Sequence, residues 1–352
     1  MNILFFCELF PDVVHGVSIA NRLNVDLLSK SASVDMIQEK TQIDFVGKTS
    51  LGKIKNLLAS IFSIRQQSRA DTYQAFYIVI SLSLFGMLKT LLAIYAFSSK
   101  SRSEIIVHLH RGDFVKFYHR RWIHRVLIKL CFGRVSRLIV LSESQKQEMS
   151  NFFPNKSIFV VENAVLEERD LPRYPAKTIF SNRFIFISNY LKEKGIYDLL
   201  TAFASLDDLE LNCYGAFHHN VAEIKALQRN GLVVNPPIGG KEKFNAIHEA
   251  DALILPSWNE GQPTIILEAM MVGTPVLTTR VGLIGELLGD DYPFYFEPQN
   301  PHSLIDCIHR FQSYIDKASL SVALQQRYFE QFSLSNHQQK LLKAFGLNEV
   351  NE

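Results

Sequence analysis

The sequence predicts an α/β protein built as two doubly wound units, each a parallel sheet covered by helices on both faces. Three observations carry this. Short β-rich runs alternate with helical stretches along almost the whole chain. The strand candidates are continuously apolar, as strands buried on both faces must be. The chain has 352 residues, more than one hydrophobic core usually serves. The units are expected at 1–166 and 167–330, with 331–352 forming a closing helix.

In the first half the strand candidates are 2–6, 76–81, 105–110, 137–141 and 158–161, with a weaker one at 43–46. Helices are expected near 16–30, 51–69, 84–98, 114–132 and 143–151. The opening MNILFFCELF has no basic residue ahead of its apolar run, so it reads as a buried strand and not as a signal peptide. The stretch 76–97 is the most membrane-like. Lys89 interrupts it, and Ser81, Ser83 and Gly86 divide its first half. A strand followed by a buried helix at 84–97 fits better than a span of about 20 uninterrupted apolar residues.

The stretch LEERDLPRYPAKT (166–178) is polar, aperiodic and holds two prolines, so it reads as the linker. Strands then fall near 184–188, 209–214, 232–235, 252–255 and 275–279. Helices lie between them, with two more at 302–315 and 318–331. The segment 336–346 is a helix ended by Gly346. Two such units facing each other would leave a cleft at the carboxyl ends of their strands, where open α/β sheets bind ligands.

Charge is unevenly placed. Net charge is +2, but residues 1–165 carry a positive excess and the rest a negative one, so the halves can meet different partners. Cys7, Cys131, Cys213 and Cys307 are far apart. They suggest neither a disulfide framework nor a zinc knuckle and fit a reducing cytosol. No G-x-G-x-x-G follows the first strand, and no P-loop or H-E-x-x-H is present, which disfavours dinucleotide oxidoreductases, P-loop enzymes and zinc proteases.

The chemistry concentrates in PSWNEGQPTIILEAMMVGTPV (256–276). Pro263 suits the first turn of a short apolar helix, and Gly273 suits its left-handed cap. Glu268 stands inside that apolar run, where a carboxylate needs partners, or it costs several kcal/mol or neutralises. Ribose hydroxyls would serve. Glu260 sits in the preceding loop. Amides of the first helical turn can hold an anion such as a diphosphate.

This segment resembles E-G-x-P-x-x-x-L-E-A-M-x-x-G-x-P-V, the signature of the retaining nucleotide-sugar glycosyltransferases of family four. These are GT-B enzymes made of two Rossmann-like domains. The resemblance implies that Glu260 lies against the donor sugar and that Glu268 bonds the ribose. It also implies that backbone of Gly261, Gln262, Pro263 and Thr264 approaches the sugar and diphosphate. IFISNYLKEKGIYDLL (185–200) resembles the segment in which a Gly-Arg pair and a Lys hold the diphosphate. Lys194 matches the Lys. Ser188 and Asn189 stand where Gly-Arg is usual, so one cation is missing; either Lys194 and the helix suffice, or another cation, Lys192 or Arg111, helps. ELFPDVVHGVSIANRLNVDLL (8–28) resembles the first loop and helix, with Gly16 at the turn. In IIVHLHRGDF (105–114), His110 matches the histidine that touches the donor sugar in that family. VVENAV (160–165) matches a P-N-G-V turn at Asn163, departing at Glu162 and Ala164.

The resemblance implies a metal-independent, hexosyltransferase-type enzyme with no required cofactor beyond its nucleotide-diphosphate sugar donor. The acceptor would be a glycan or lipid-linked hydroxyl, in cell-surface polysaccharide biosynthesis such as lipopolysaccharide or capsule. A GT-B epimerase and a non-catalytic GT-B scaffold are the alternatives. KFYHRRWIHRVLIKLCFGRVSR (116–137) is rich in Lys and Arg, lacks Asp and Glu, and interleaves Phe117, Trp122, Val126, Leu127 and Leu130. It can lie on an anionic membrane surface or be a helix with one solvated face. No nucleic-acid fold accompanies it. The expected location is cytoplasmic, peripheral on the inner face of the membrane.

Overall fold

The computed structural model describes residues 1–12, 16–39, 51–98, 103–217, 221–229 and 231–347. Their strands pair in parallel to form two six-stranded sheets. The chain divides into one compact unit of residues 1–166 plus the tail from Ser335, and a second of Glu167–Leu334. These are the two doubly wound α/β domains expected.

In the first unit the strands are β1 (Asn2–Cys7), β2 (Ser33–Gln38), β3 (Ala75–Val79), β4 (Glu104–His108), β5 (Arg137–Val140) and β6 (Ser157–Val160). Their order is β2-β1-β3-β4-β5-β6. The helices are α1 (Gly16–Leu28), α2 (Leu51–Ala70), α3 (Leu84–Ala96), α4 (Phe114–Arg120), α5 (Trp122–Arg134) and α6 (Glu143–Phe152).

Three expectations are corrected, and β2 is added to the strands expected. β2 lies at 33–38, whereas 43–46 lies outside the described residues. As an edge strand, β2 exposes Ser33, Asp35 and Met36, so it lacks an apolar run. β4 ends at His108, leaving His110 two residues beyond it. The helix expected at 114–132 divides at Arg121, whose extended backbone (φ −150°, ψ 151°) ends α4 and starts α5. The helix expected to be buried at 84–97 exposes Leu84, Leu88, Leu92 and Tyr95. No helix among the described residues is long and apolar enough to cross a membrane.

Side chains alternate across a sheet. Leu4, Phe6, Phe76, Ile78, Ile105 and Val107 therefore share one core with Ile64 of α2, Met87 of α3 and Ile128 of α5. Phe5 and Tyr77 point the other way and stack with centroids 4.2 Å apart. They pack against Phe345 of the C-terminal helix (Leu334–Phe345), at 6.2 and 6.0 Å. That helix is also held by a buried polar chain. His337 places Nδ1 2.6 Å from the Glu162 carbonyl and Nε2 2.8 Å from the Asn24 amide. Lys340 pairs with Glu162 at 2.7 Å. Glu162, a departure from the family turn, is thus used by its side chain and its backbone together.

Burial pulls the His337 imidazole down to about 4; the Glu162 carbonyl opposes this and Lys340 adds to it. A depressed folded-state pKa means the unfolded chain binds the proton first. The resulting stability is full above the unfolded value of 6.5 and is lost as pH falls toward 4. The loss is on the order of 3 kcal/mol at about 1.4 kcal/mol per pH unit. Urea unfolding between pH 7 and pH 4 checks it: His337→Gln is expected to flatten this acid limb.

The second unit contains β7 (Arg183–Ile187), β8 (Glu210–Tyr214), β9 (Leu232–Asn235), β10 (Ala252–Leu255), β11 (Val276–Thr279) and β12 (Tyr295–Phe296). Their order is β12-β11-β10-β7-β8-β9. The helices are α7 (Ile196–Phe203), α8 (Val221–Ala226), α9 (Gly240–Glu249), α10 (Thr264–Val272), α11 (Ile284–Leu288), α12 (Pro301–Ser313) and α13 (Lys317–Arg327). A π-helical turn, Tyr328–Phe332, follows α13. From β7 the chain winds outward through β8 and β9, then returns to place β10 on the other side. The strand order therefore reverses between β7 and β10.

Candidate functional site

A reversal of strand order opens a crevice at the carboxyl ends of the two strands that flank it. Those strands are β7 and β10, and both motif-bearing loops follow them. Residues 188–195 leave β7; residues 256–263 leave β10. Gly195 holds the two loops together. Its φ is +73°, and a Cβ there would lie 2.0 Å from the Pro256 carbonyl oxygen. Only glycine permits both the left-handed backbone and that approach. The Trp258 amide then donates to the Glu193 carbonyl at 2.9 Å, and its indole Nε1 donates to Asp198 at 2.7 Å. Gly282 (φ +59°) does the same for the loop after β11, since its Cβ would meet the Glu260 carbonyl at 2.0 Å. The Leu283 amide donates to the Gly261 carbonyl at 3.0 Å.

This arrangement brings Lys194 to Glu260, Nζ to Oε1, at 2.6 Å. Glu260 is nearly enclosed and Lys194 is about a third exposed, with side chains 9% and 30% accessible. Gln262 is buried beside them in sequence. Pro263 takes the cap position, one residue ahead of α10, not a position within its first turn. Ile266 donates back to the Pro263 carbonyl at 3.2 Å. Gly273 closes α10 in the left-handed region (φ 76°), with its amide bonded to Ala269 and Met270 carbonyls.

Glu268 is buried, yet it has a partner that sequence reasoning missed. Lys243, on α9, lies 3.0 Å from its carboxylate and 3.4 Å from that of Glu167. Burial pushes the Glu268 carboxyl up, Lys243 pulls it down and Glu167 pushes it up again; the net direction is upward. Burial works against the Lys243 charge, but Glu268 and Glu167 outweigh it and raise its pKa. A signal for Lys243 existed. It stands four residues before Ile247, so it shares that residue's buried helical face. The Asp251 carboxylate, ahead of β10, accepts from the Ser181 and Arg183 amides and pairs with Lys177 at 3.5 Å. That ties the starts of β7 and β10 together.

The remaining sequence candidates separate into those drawn into this site and those on the first unit. Asn189 is half-buried in the loop after β7, and its carbonyl accepts from the Leu191 amide at 2.7 Å. Lys192 lies over the Trp258 ring at 5.5 Å, close to the loop it was expected to serve. Arg111 belongs to the first unit and is engaged in a fork with Asp113, Nε to Oδ1 at 2.8 Å. Gly16 is the exposed first residue of α1, and a Cβ there would meet nothing within 4 Å, so protein packing does not demand a glycine. His110 is buried, with its ring 3.8 Å from that of His108. His108 lies 2.7 Å from the Tyr77 hydroxyl. Burial, with His110 and His337 nearby, lowers the His108 pKa well below the usual range, so His108 stays neutral.

Two parallel-sheet Rossmann-like domains with loops converging at a switch point define an architecture of GT-B type. Solved structures share it over the whole chain. Sucrose-phosphate synthase from Thermosynechococcus elongatus superposes with a TM-score of 0.75 at 15% identity, covering 98% of each chain. HepE of Anabaena, solved with UDP and glucose, gives 0.70 at 15% identity, over 98% of this chain and 99% of that one.

Residues 181–313 match the family model described as glycosyl transferases group 1. A teichuronic acid biosynthesis glycosyltransferase of Bacillus subtilis, TuaC, is 27% identical over 36% of this chain and 32% of its own. An uncharacterised glycosyltransferase of Methanocaldococcus jannaschii is 24% identical over 51% of this chain and 50% of its own. The chain thus spans about a third to a half of the length of these curated relatives. The family match lies within the second unit.

Proposed function

We propose that the protein is a retaining glycosyltransferase of family four that moves a hexose from a nucleotide-diphosphate sugar to a hydroxyl of a glycan or lipid-linked acceptor. One observation carries the reading most: two lysine–carboxylate pairs, Lys194–Glu260 and Lys243–Glu268, flank the start of α10 beside the strand reversal. In this reading the diphosphate lies at the first turn of α10, and Lys194 neutralises it. The bond between the anomeric carbon and the diphosphate oxygen breaks, and its electron pair leaves with the diphosphate. The acceptor oxygen bonds the anomeric carbon on the same face. Its proton passes to a phosphate oxygen of the donor.

Glu260 orients the sugar and Glu268 holds the ribose. By the family resemblance, His110 serves the sugar from the first unit. Amides and a lysine at a helix N-terminus can stabilise the developing charge without a bound metal. The similarity to TuaC, named for teichuronic acid biosynthesis, favours a cell-surface glycan as product. Contact with the inner face of the membrane through 116–137 belongs to the same reading.

Incubation with a panel of nucleotide sugars and a membrane extract, with and without a chelator, is the test. Sugar transfer to the extract that survives chelation is the expected result. An isomerised donor would indicate an epimerase. Donor binding without turnover would indicate a scaffold, the reading that Asn189 in the place of an arginine favours.

A further inference from the structure

Three neighbouring helices of the first unit leave apolar stripes uncovered. On α2 the stripe is Ile54, Leu58 and Phe62; on α3 it is Leu84, Leu88, Leu92 and Tyr95; on α5 it is Trp122, Val126 and Leu130. Within α2 and α5, and for the three leucines of α3, the spacing is four residues, so each set lies along one side of its helix. All three helices cover the same sheet face, because Ile64, Met87 and Ile128 share one core. α3 packs against both α2 and α5, so the stripes form one layer. Arg134 joins two of them, with its guanidinium 5.2 Å from the Tyr95 ring. Trp122 is 73% and Phe62 69% exposed, values that a folded chain does not normally give two aromatics on one surface.

The charge around the stripes has one sign. Residues 51–70, 84–96 and 114–134 hold eleven Lys and Arg and no Asp or Glu. Lys89 is neutralised by Glu39 at 2.6 Å. Arg120, Arg121, Arg125 and Lys129 are exposed beside Trp122 and Val126. A second copy of this chain is a poor occupant, since two faces with a large excess of Lys and Arg repel each other. Apolar side chains rimmed by long cationic ones match the boundary of an anionic bilayer. There the aliphatic stems and rings enter the acyl region while the charges stay among the headgroups.

We propose that the outer face of α2, α3 and α5 together is a docking surface for an anionic lipid bilayer. It is broader than the single basic segment at 116–137. It deepens the membrane contact of the proposed function and rests on that reading at α5, but its test is separate, because vesicle binding needs no donor and no turnover.

Co-sedimentation of the full chain with vesicles tests it, using phosphatidylcholine alone and phosphatidylcholine with about a third phosphatidylglycerol. Partition into the anionic vesicles is expected to be at least about tenfold stronger at about 0.1 M salt and to fall steeply by about 0.5 M. Arg125→Glu with Lys129→Glu is expected to abolish the anionic preference. Phe62→Ser, on a different helix, is expected to weaken partition several-fold without lowering the melting temperature. Brominated lipids are expected to quench tryptophan fluorescence, and Trp122→Phe, which keeps the apolar bulk, is expected to remove most of that quenching. Absence of partition into anionic vesicles at low salt overturns the proposal. So does binding that Phe62→Ser leaves unchanged, or a dimer in solution that Trp122→Phe or Phe62→Ser makes monomeric.

Discussion

Lys194→Ala is expected to lower sugar transfer by a factor of about 10²–10³, the usual cost of removing one donor that stabilises developing charge. The pair at 2.6 Å explains both the size and the specificity of the effect. Lys194 and Glu260 neutralise each other, so neither is a stranded charge. When a diphosphate approaches, the lysine faces two anions. On the proposed function, its share of the phosphate grows as the bond to the diphosphate breaks, which places the expected loss in kcat more than in KM. Glu260→Gln should behave differently. It frees the lysine for the ground-state diphosphate and removes the group that orients the sugar, so donor binding should hold while turnover falls. Steady-state kinetics on the two variants with one nucleotide sugar separates these outcomes. Equal losses in kcat and in donor affinity for both variants would remove Lys194 from the transition state.

Glu268→Ala is expected to destabilise the second unit by about 3 kcal/mol and to weaken nucleotide binding about tenfold or more. The first effect arises because removing one member of a buried pair leaves the other charge in a medium that cannot solvate it. Glu167 remains near Lys243 at 3.4 Å and limits the damage. On the proposed function, the second effect is the loss of a charge-assisted hydrogen bond to ribose, about 1.5–3 kcal/mol. The two can be pulled apart. Lys243→Met combined with Glu268→Leu replaces both charges by apolar groups of similar size, a change that is often neutral for stability. Urea unfolding should therefore show recovery in the double variant. Calorimetry with a set of nucleoside diphosphates should show none. Recovery of both properties together would make Glu268 a purely structural carboxylate.

Much of this was legible from the sequence because buried parallel strands and αL-capped helices leave strong marks. The run from Ala252 to Gly273 reads as strand, loop, helix and cap, and it folds that way. Glu268 was visible as a charge out of place. The buried face that carries Lys243 was legible too, but its pairing with Glu268 was not, because Lys243 lies 25 positions earlier on α9, and only the packing of α9 against α10 brings them together. Gly282 carried no signal either, as its need for a positive φ comes from a carbonyl on another loop. β2 escaped because an edge strand with an exposed side is as polar as a loop. The break at Arg121 escaped because its neighbours are all compatible with a helix.

The return of the C-terminal helix to the first sheet has a consequence for how the molecule is made. Phe5, Tyr77 and Asn24 emerge early from the ribosome, but the helix that covers them ends at Phe345. At the usual 5–20 residues per second, the interval between residue 166 and residue 345 is roughly 10–35 s. Throughout that time Phe5 and Tyr77 lack the cover of Phe345, although α1 already meets Tyr77 through Asn21 and Asn24, while the second unit can complete its own core and close. The order of maturation is therefore the reverse of the order of synthesis: the half translated second finishes first, and the half translated first waits for the last helix.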